Sequence, residues 1–275
     1  MNAMTDNEVR AWSEQPGVLR RRETVDGVEE LQWLLAHFGI DPGPIDDVFG
    51  GRTEAAVMEF QERRVITVDG AVGPQTRGEV LKAHEYGWAA GTAFPYPDND
   101  SKLMVYGGIH PKRGRIPNRD GAVSWFGGPD DEGDRGYGQA LVPVYPPTVK
   151  ALYDKHPQLV DLGLFRKGLE DPLPMTTCCG KSMRAGISWC LDPMSFYLAM
   201  RWGRGNARPS PYHDRVAVIR GDKIVVVAPT DWGPAKWTNK NGDLSLGAIQ
   251  AIEARTGQTA RFTWAENDTP LGLVR

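Results

Sequence analysis

The sequence of 275 residues predicts an α+β protein with a small three-helix module first and a β-rich domain after it. Three observations support this prediction. A short motif occurs twice near the N-terminus, apolar residues around it recur at helical spacing, and paired β-branched runs follow in the second half. A chain of this length can bury two separate cores.

The repeated motif occupies residues 45–53 and again 68–76, so that Asp69 follows Asp46 by 23 residues. The same offset relates Gly50 to Gly73 and Thr53 to Thr76. Each copy consists of an apolar residue, Asp, a turn, a second apolar residue, Gly and then Thr. We expect each Thr to cap a following helix, and Thr76 with Glu79 matches the capping-box pattern.

Amphipathic segments surround the two copies. Val28, Leu31, Leu35 and Phe38 recur at helical spacing, and Gly39 is a stop signal. A second helical face contains Ala56, Val57 and Phe60. These patterns predict a small three-helix module in which the two Asp/Gly loops pack together.

The complete pattern closely resembles the peptidoglycan-binding domain type 1 family over roughly residues 24–84. The matching segments are Leu31-Gln32, Gly39, Ile45-Asp46, Phe49-Gly50, Thr53, Ala56-Val57, Phe60-Gln61, Val68-Asp69-Gly70, Gly73-Pro74 and Thr76. The resemblance implies a module that binds bacterial peptidoglycan and anchors its neighbour to the cell wall. The alternative is that the Asp and Gly residues only build turns.

Composition excludes several other classes of partner. The formal net charge is −3, and the one basic run, Arg20–Arg22, is expected to be a solvated lead-in, so we predict no nucleic acid. The longest aliphatic run, Ile224–Ala228, is too short to span a bilayer. We expect a monomer without a cofactor. The five His are scattered singly and three Cys are close together, so no metal site is predicted.

The first 22 residues contain no apolar segment typical of a secretory signal. For a wall-binding protein, this leads us to expect synthesis in the host cytoplasm and later release, through a holin as for a phage endolysin, or by injection. The predicted organisation is a lead-in at 1–23, the wall-binding module at 24–84, a Gly/Pro-rich linker at 85–121 and a second domain at 122–275. A short strand is possible at Leu103–Tyr106.

The second domain is predicted to be mostly β. Its expected strands include 123–126, the hairpin 216–220 and 223–228 turned by Gly221-Asp222, and 259–265. Helices are predicted at 147–154, 192–201 and 245–255.

These segments are similar in order to a six-stranded double-psi β-barrel with helical insertions. The matching segments are Val123-Ser124-Trp125-Phe126-Gly127, Val216-Ala217-Val218, Val225-Val226-Val227, Asp231-Trp232-Gly233-Pro234 and Asp243-Leu244-Ser245 with Ala248. The pattern resembles rare lipoprotein A, the expansins and, more distantly, the membrane-bound lytic transglycosylase A group. The resemblance implies that Asp231 and Asp243 share one open groove that holds a glycan strand. Residues 139–180 fit no part of it and are interpreted as an insertion.

The chemistry expected of such a groove is cleavage of the glycan strand. In a lytic transglycosylase the C6 hydroxyl of muramic acid is the nucleophile, so one carboxyl group can act first as acid and then as base. We assign that role to Asp243, with Asp231 assisting. Asp243 could instead cap the helix near Ser245, and Asp231 could be a turn residue.

Five further residues are candidates for substrate binding. Ser124 and Trp125 belong to the first barrel segment, and Trp232 and Trp237 can stack on sugar rings. Asp192 is the fifth, although capping of a helix that begins at Pro193 also explains it.

Two alternative functions stay open. An expansin-like protein would bind and loosen the wall without breaking bonds. A Cys-dependent peptidoglycan peptidase would need a thiolate beside a His, for which Cys190 and His213 are the candidates.

Overall fold

The computed structural model forms two compact units, Met1–Pro111 and Lys112–Arg275. It describes residues 4–22, 26–89, 91–97, 102–116, 120–126, 147–173, 175–178, 181–184, 190–202, 209–234 and 238–275. Within 175–184 the description covers the backbone alone.

The first unit is a helical module followed by short strands. Its helices are α1 (Asp6–Ser13), α2 (Val28–His37), α3 (Gly51–Arg63) and α4 (Pro74–Glu85). Its strands are β1 (Phe94–Pro95), β2 (Met104–Gly107) and β3 (Ile109–His110), and β1 pairs with β2 in antiparallel fashion. The apolar faces of the helices meet in one core, which includes Leu31, Leu35, Phe38, Val57, Phe60 and Val80.

Helix α1 lies inside the segment that was predicted to be only a lead-in. Thr5 and Glu8 form a capping box at its start. Val9 and Trp12 are buried, and the Trp12 indole N–H donates to the carbonyl of Gly27 at 2.9 Å. This segment is therefore part of the folded module.

The prediction that Thr53 and Thr76 cap helices is wrong. Helices α3 and α4 begin earlier, and their N-cap positions are Gly50 and Gly73, without a side-chain cap. Glu79, the expected capping-box partner, instead accepts a hydrogen bond from Arg64 at 2.6 Å in the buried interior. The two Thr hydroxyls belong to a different network, described below.

In the part that the structure describes, the second unit contains the remaining strands and three short helices. Its elements are β4 (Gly114–Arg115), β5 (Asp120–Trp125), α5 (Val149–Lys155), α6 (Pro157–Asp161), β6 (Met175–Cys178), β7 (Lys181–Arg184), β8 (Tyr197–Met200), β9 (Arg215–Arg220), β10 (Lys223–Asp231), β11 (Gly242–Leu244), α7 (Leu246–Ala251), β12 (Thr259–Ala265) and β13 (Gly272–Leu273).

Six of these strands close into a barrel. Around the ring the order is β5, β11, β8, β10, β9 and β12, and β12 pairs again with β5. The β5–β11 and β8–β10 contacts are parallel, whereas the other four are antiparallel. Closure gives each of the six strands two neighbours, so none of them is left as an open edge.

Most of the expected elements of this unit are present, with one important exception. The hairpin with Gly221-Asp222 at its turn forms β9 and β10, and residues 259–265 form β12. The helix predicted at 192–201 is wrong, because Tyr197–Met200 is strand β8. All four residues of β8 are buried, as expected for a strand covered on both faces, and such short apolar runs do not distinguish strand from helix by periodicity.

Candidate functional site

Three adjacent strands bring the two candidate carboxylates into one region of the barrel. Asp243 of β11 and Asp231 of β10 are both register partners of Ala199, which lies on β8 between them. Neighbouring strands are about 4.8 Å apart, so the two Asp backbones are separated by about 10 Å. A β-bulge between Pro229 and Asp231 adjusts the register at this point.

Asp243 is half-buried and touches two other barrel segments. The Ser124 hydroxyl of β5 donates a hydrogen bond to Oδ1 of Asp243. A methyl group built on Gly233 would lie 3.3 Å from Oδ2 of Asp243 and 3.6 Å from Cβ of Ala199. The segment Asp231-Trp232-Gly233-Pro234 therefore passes directly beside the Asp243 carboxylate.

A residue other than Asp243 caps helix α7. Ser245 is the N-cap of α7, and its hydroxyl accepts a hydrogen bond from the backbone N–H of Ala248 at 3.1 Å. The same hydroxyl donates to the carbonyl of Ser195 at 2.5 Å. Because Ser245 performs the capping, that role does not account for Asp243.

Asp231 is more buried than Asp243, and its contacts are those of a turn residue. It is only 7% exposed, and its Oδ1 accepts a hydrogen bond from the backbone N–H of Trp232 at 2.6 Å. Its carbonyl accepts from the indole N–H of Trp202 at 2.9 Å. These contacts agree with the turn role considered from the sequence, while the position beside Ala199 keeps Asp231 near Asp243.

The other candidate binding residues differ in their exposure and in their distance along the chain from the two carboxylates. Trp125 ends β5 with 41% of its surface exposed, and Trp232 is half-buried next to Asp231. Trp237 lies outside the described residues. Asp192 accepts a hydrogen bond from the N–H of Met194 at 2.8 Å, so it forms a turn before β8 and does not cap a helix.

The geometry weighs against the thiol-dependent alternative. Cys190 is fully buried, and burial raises the pKa of its thiol to about 12. A thiol with that pKa stays protonated at neutral pH and is a poor nucleophile. His213 is exposed and its Nδ1 lies 3.0 Å from Oδ1 of Asp268. The side chains of Cys178 and Cys179 lie outside the described residues.

Within the described part of the chain, no three His, Cys, Asp or Glu side chains are grouped so as to hold a metal ion. Over the same residues, no helix is both long and apolar enough to cross a membrane.

In the helical module, the two repeated loops are each organised by one buried glutamine. The Gln32 side-chain N–H group donates to Oδ1 of Asp46, the carbonyl of Val48 and the hydroxyl of Thr53, at 3.1 to 3.2 Å. Its oxygen accepts from the N–H groups of Asp46 and Asp47 at 3.0 and 3.2 Å. One side chain therefore fixes both ends of the first loop.

Gln61 repeats this arrangement in the second loop. Its side-chain N–H group donates to Oδ1 of Asp69, the carbonyl of Ala71 and the hydroxyl of Thr76, at 2.8 to 3.1 Å. Its oxygen accepts from the N–H groups of Asp69 and Gly70 at 3.0 and 2.9 Å. The repeated Asp and Thr residues therefore complete a network of hydrogen bonds around each glutamine, and this network includes the turn.

Sequence reasoning did not assign either glutamine a role. Gln32 precedes Asp46 by 14 residues, whereas Gln61 precedes Asp69 by 8. The glutamines therefore do not share the offset that relates the rest of the repeat. The available signal was a polar residue on the apolar face of each preceding helix.

Comparison with known proteins bears on the helical module. Residues 24–79 match the family described as a putative peptidoglycan binding domain. The chain is 38% identical over 78 residues to a spore cortex-lytic enzyme of Bacillus cereus, covering 28% of this chain and 29% of that protein. Spore cortex-lytic enzymes of Oceanobacillus iheyensis and Halalkalibacterium halodurans are 35% identical over 83 residues and 37% identical over 76 residues, covering 30% and 28% of this chain.

The chain therefore contains an N-terminal peptidoglycan-binding domain and is homologous to spore cortex-lytic enzymes over that part of its length. The matched segments span 29%, 29% and 22% of the three relatives. Peptidoglycan is the partner that the module indicates.

Proposed function

We propose that the protein is a peptidoglycan-degrading enzyme whose helical module holds the wall while the barrel cleaves the glycan strand. The bond cleaved joins N-acetylmuramic acid to N-acetylglucosamine, and the reaction is that of a lytic transglycosylase. The observation that supports this most directly is the position of Asp243, beside Ser124, Ala199 and Gly233 where three barrel segments meet.

Two further observations support a lytic function. The module belongs to a class that binds peptidoglycan, and the relatives that share it are named for lysis of the spore cortex. The second unit is a closed six-stranded barrel with two parallel strand contacts, β5–β11 and β8–β10. We assign it to the double-psi type, since that assignment agrees with the order of the matching sequence segments.

In the proposed reaction, one carboxyl group serves two proton transfers. Asp243 in its acid form donates a proton to the glycosidic oxygen, and the bond between that oxygen and C1 of muramic acid breaks. The resulting Asp243 carboxylate then takes the proton of the C6 hydroxyl while the C6 oxygen bonds to C1. The products are a 1,6-anhydro sugar and a free C4 hydroxyl on the glucosamine, and no water is consumed.

The neighbouring residues have supporting roles in this proposal. Ser124 orients the carboxylate through Oδ1. Gly233 leaves open the space that a side chain would fill beside Oδ2. Asp231 stabilises positive charge at C1 from β10, on the far side of β8, and the half-exposed Trp125 offers a stacking surface for a sugar ring.

A second candidate function is an expansin-like protein that loosens the wall without breaking bonds. The environment of Asp231 favours it, because that carboxylate is buried and accepts a hydrogen bond from the backbone N–H of Trp232. Of the two candidate carboxylates, Asp243 alone is then left to contact the glycan.

The deciding experiment compares Asp243→Asn with wild type on purified sacculi, with products identified by mass spectrometry. We expect anhydro-muropeptides from wild type, a loss of about 100-fold or more in their release from the variant, and unchanged sacculus binding. Asp222→Asn, at the exposed turn between β9 and β10, is the matched control and should retain activity.

Other products would select other functions. Reducing ends would indicate a hydrolase, and the absence of products from wild type would indicate the expansin-like protein. Release of new amines that survives Asp243→Asn but is lost in Cys190→Ser would overturn the proposal in favour of the peptidase.

A further inference from the structure

The helical module contains a cleft that its family match does not fully include. The cleft has a volume of about 420 Å³ and is lined by Arg20, Arg21, Glu54 and the loop Asp69–Ala71. The two arginines precede residue 24, where the family match begins. The N-terminal segment therefore adds one wall of this cleft to the module.

This segment is held firmly where it enters the cleft. Leu19 is buried and exchanges two backbone hydrogen bonds with Val72, at 3.2 and 2.9 Å. Arg20 and Arg21 follow immediately, so their backbone is anchored beside the second repeated loop. A methyl group built on Gly51 would lie 3.6 Å from Nη2 of Arg21, which places that guanidinium over the first turn of α3.

The opposite wall is equally well defined. Gly70 adopts a positive φ of 70°, and a methyl group built on it would lie 3.1 Å from Cγ of Glu54. The N–H groups of Asp69 and Gly70 are fixed by Gln61. The loop therefore presents a rigid surface against the face of α3 that includes Glu54.

The charges in the cleft are mixed and accessible. The Arg21–Glu54 contact is long, at 3.4 Å, and the two side chains are 50% and 35% exposed. Such a pair contributes little to stability, so exchanging it for ligand contacts costs little. Arg20 is exposed and forms no ion pair with any residue that the structure describes. Asp69 is exposed as well, although its Oδ1 is engaged with Gln61.

A cleft with guanidinium groups on one wall and carboxylates on the other matches a ligand that carries both charges close together. In peptidoglycan the glycan strand has no such pair, but the free end of a stem peptide has a carboxylate and, on its diamino acid, an ammonium group. The volume is within the range of sites for small molecules.

We propose that this cleft binds the zwitterionic end of a stem peptide, with Arg20 and Arg21 holding its carboxylate and Glu54 its ammonium group. The inference rests on the proposed function only in taking peptidoglycan as the ligand, and it requires no cleavage by the barrel.

The test is titration calorimetry of the full chain with the synthetic tripeptide L-Ala–γ-D-Glu–meso-diaminopimelate. The double variant Arg20→Gln, Arg21→Gln should bind it at least about tenfold more weakly, since two charge-assisted contacts are lost. Arg52→Gln is the matched control, because it removes an exposed arginine of the same module that pairs with Asp41 outside the cleft. Its affinity should equal that of wild type.

A second variant tests the other wall. Glu54→Gln should weaken binding of the tripeptide but leave unchanged the weaker binding of a tripeptide whose side-chain amine is acetylated. Single Arg20→Gln keeps the Arg21–Glu54 pair and provides a variant with the least structural change. The proposal is overturned if wild type does not bind the tripeptide, or if the arginine variants bind it as wild type does. If wild type binds the tripeptide but releases no anhydro-muropeptides, only the proposed function is refuted.

Discussion

The repeated loops of the helical module and the Asp243 region of the barrel are built by opposite means. Each loop is organised by a glutamine on the helix just before it, 14 or 8 residues away. In the barrel, Ser124 and Asp243 are 119 residues apart and meet only because β5 and β11 pair. The first arrangement is local in sequence, whereas the second depends on closure of a whole sheet.

This difference explains why the sequence predicts the repeated loops more fully than the Asp243 region. A local arrangement leaves a repeated pattern of residues that is visible without a structure. An arrangement across strands leaves only isolated Asp and Ser residues, whose roles depend on strand order. The module can therefore be predicted from its repeated residues, whereas the role of Asp243 is tested by measuring the activity of variants.

The largest expected effect tests the local arrangement. Gln61→Leu should destabilise the module by about 3 kcal/mol, because it leaves the buried N–H of Gly70 and carbonyl of Ala71 without their partners. Calorimetry of the full chain should show the transition of the module at lower temperature, with sacculus binding lost above it.

Gln32→Leu is the matched variant in the first loop. A similar loss of stability would show that the two loops are equivalent. A much smaller loss in one of them would contradict the view that both depend on one glutamine.

A smaller effect is expected across the strands of the barrel. Ser124→Ala removes the hydrogen bond that orients Asp243 and should lower anhydro-muropeptide release about tenfold with little change in stability. Ser195→Ala is a suitable control, because that hydroxyl bonds to the carbonyl of Asp192. Unchanged release from Ser124→Ala would argue against Asp243 as the acid and base.

The smallest effect concerns pH and the barrel unit alone. Burial, with Lys155 adding to it, lowers the pKa of His156 below 6.5, and Nδ1 lies 2.7 Å from the Tyr212 hydroxyl. Between the lowered pKa and 6.5 the unfolded chain binds a proton that the folded chain does not, so stability must fall as pH falls through this range.

His156→Gln should therefore reduce the pH dependence of barrel unfolding between about pH 7.5 and about pH 5. Exposed His213→Gln is the control and should keep the wild-type slope. Equal slopes for His156→Gln and wild type would show that His156 is not desolvated in the folded barrel.

Several features of this protein were accessible from the sequence. The 23-residue offset between Asp46 and Asp69 predicted the module, and its family match covers most of the predicted range. The Gly221-Asp222 hairpin and β12 were also predicted, because alternation and turn residues are local properties. The convergence of Asp231-Trp232-Gly233-Pro234 on Asp243 was expected only from a family resemblance.

Other features were missed for physical reasons. Strand β8 was predicted as a helix because a strand buried on both faces has no alternating pattern. Thr53 and Thr76 were predicted to be helix caps. Their hydroxyls instead accept hydrogen bonds from Gln32 and Gln61, and these contacts depend on how the helices pack. The segment that forms helix α1 was predicted to be part of the lead-in at 1–23, although Trp12 is buried in the module.

The sequence by itself determined the module, its repeated loops, the β9–β10 hairpin and β12, because these depend on residues close together along the chain. Only the tertiary structure decided that Ala199 lies between Asp231 and Asp243, and that Arg20 and Arg21 line a cleft with Glu54. Strand register and the packing of a terminal segment are set by contacts between distant residues, and no local pattern specifies them.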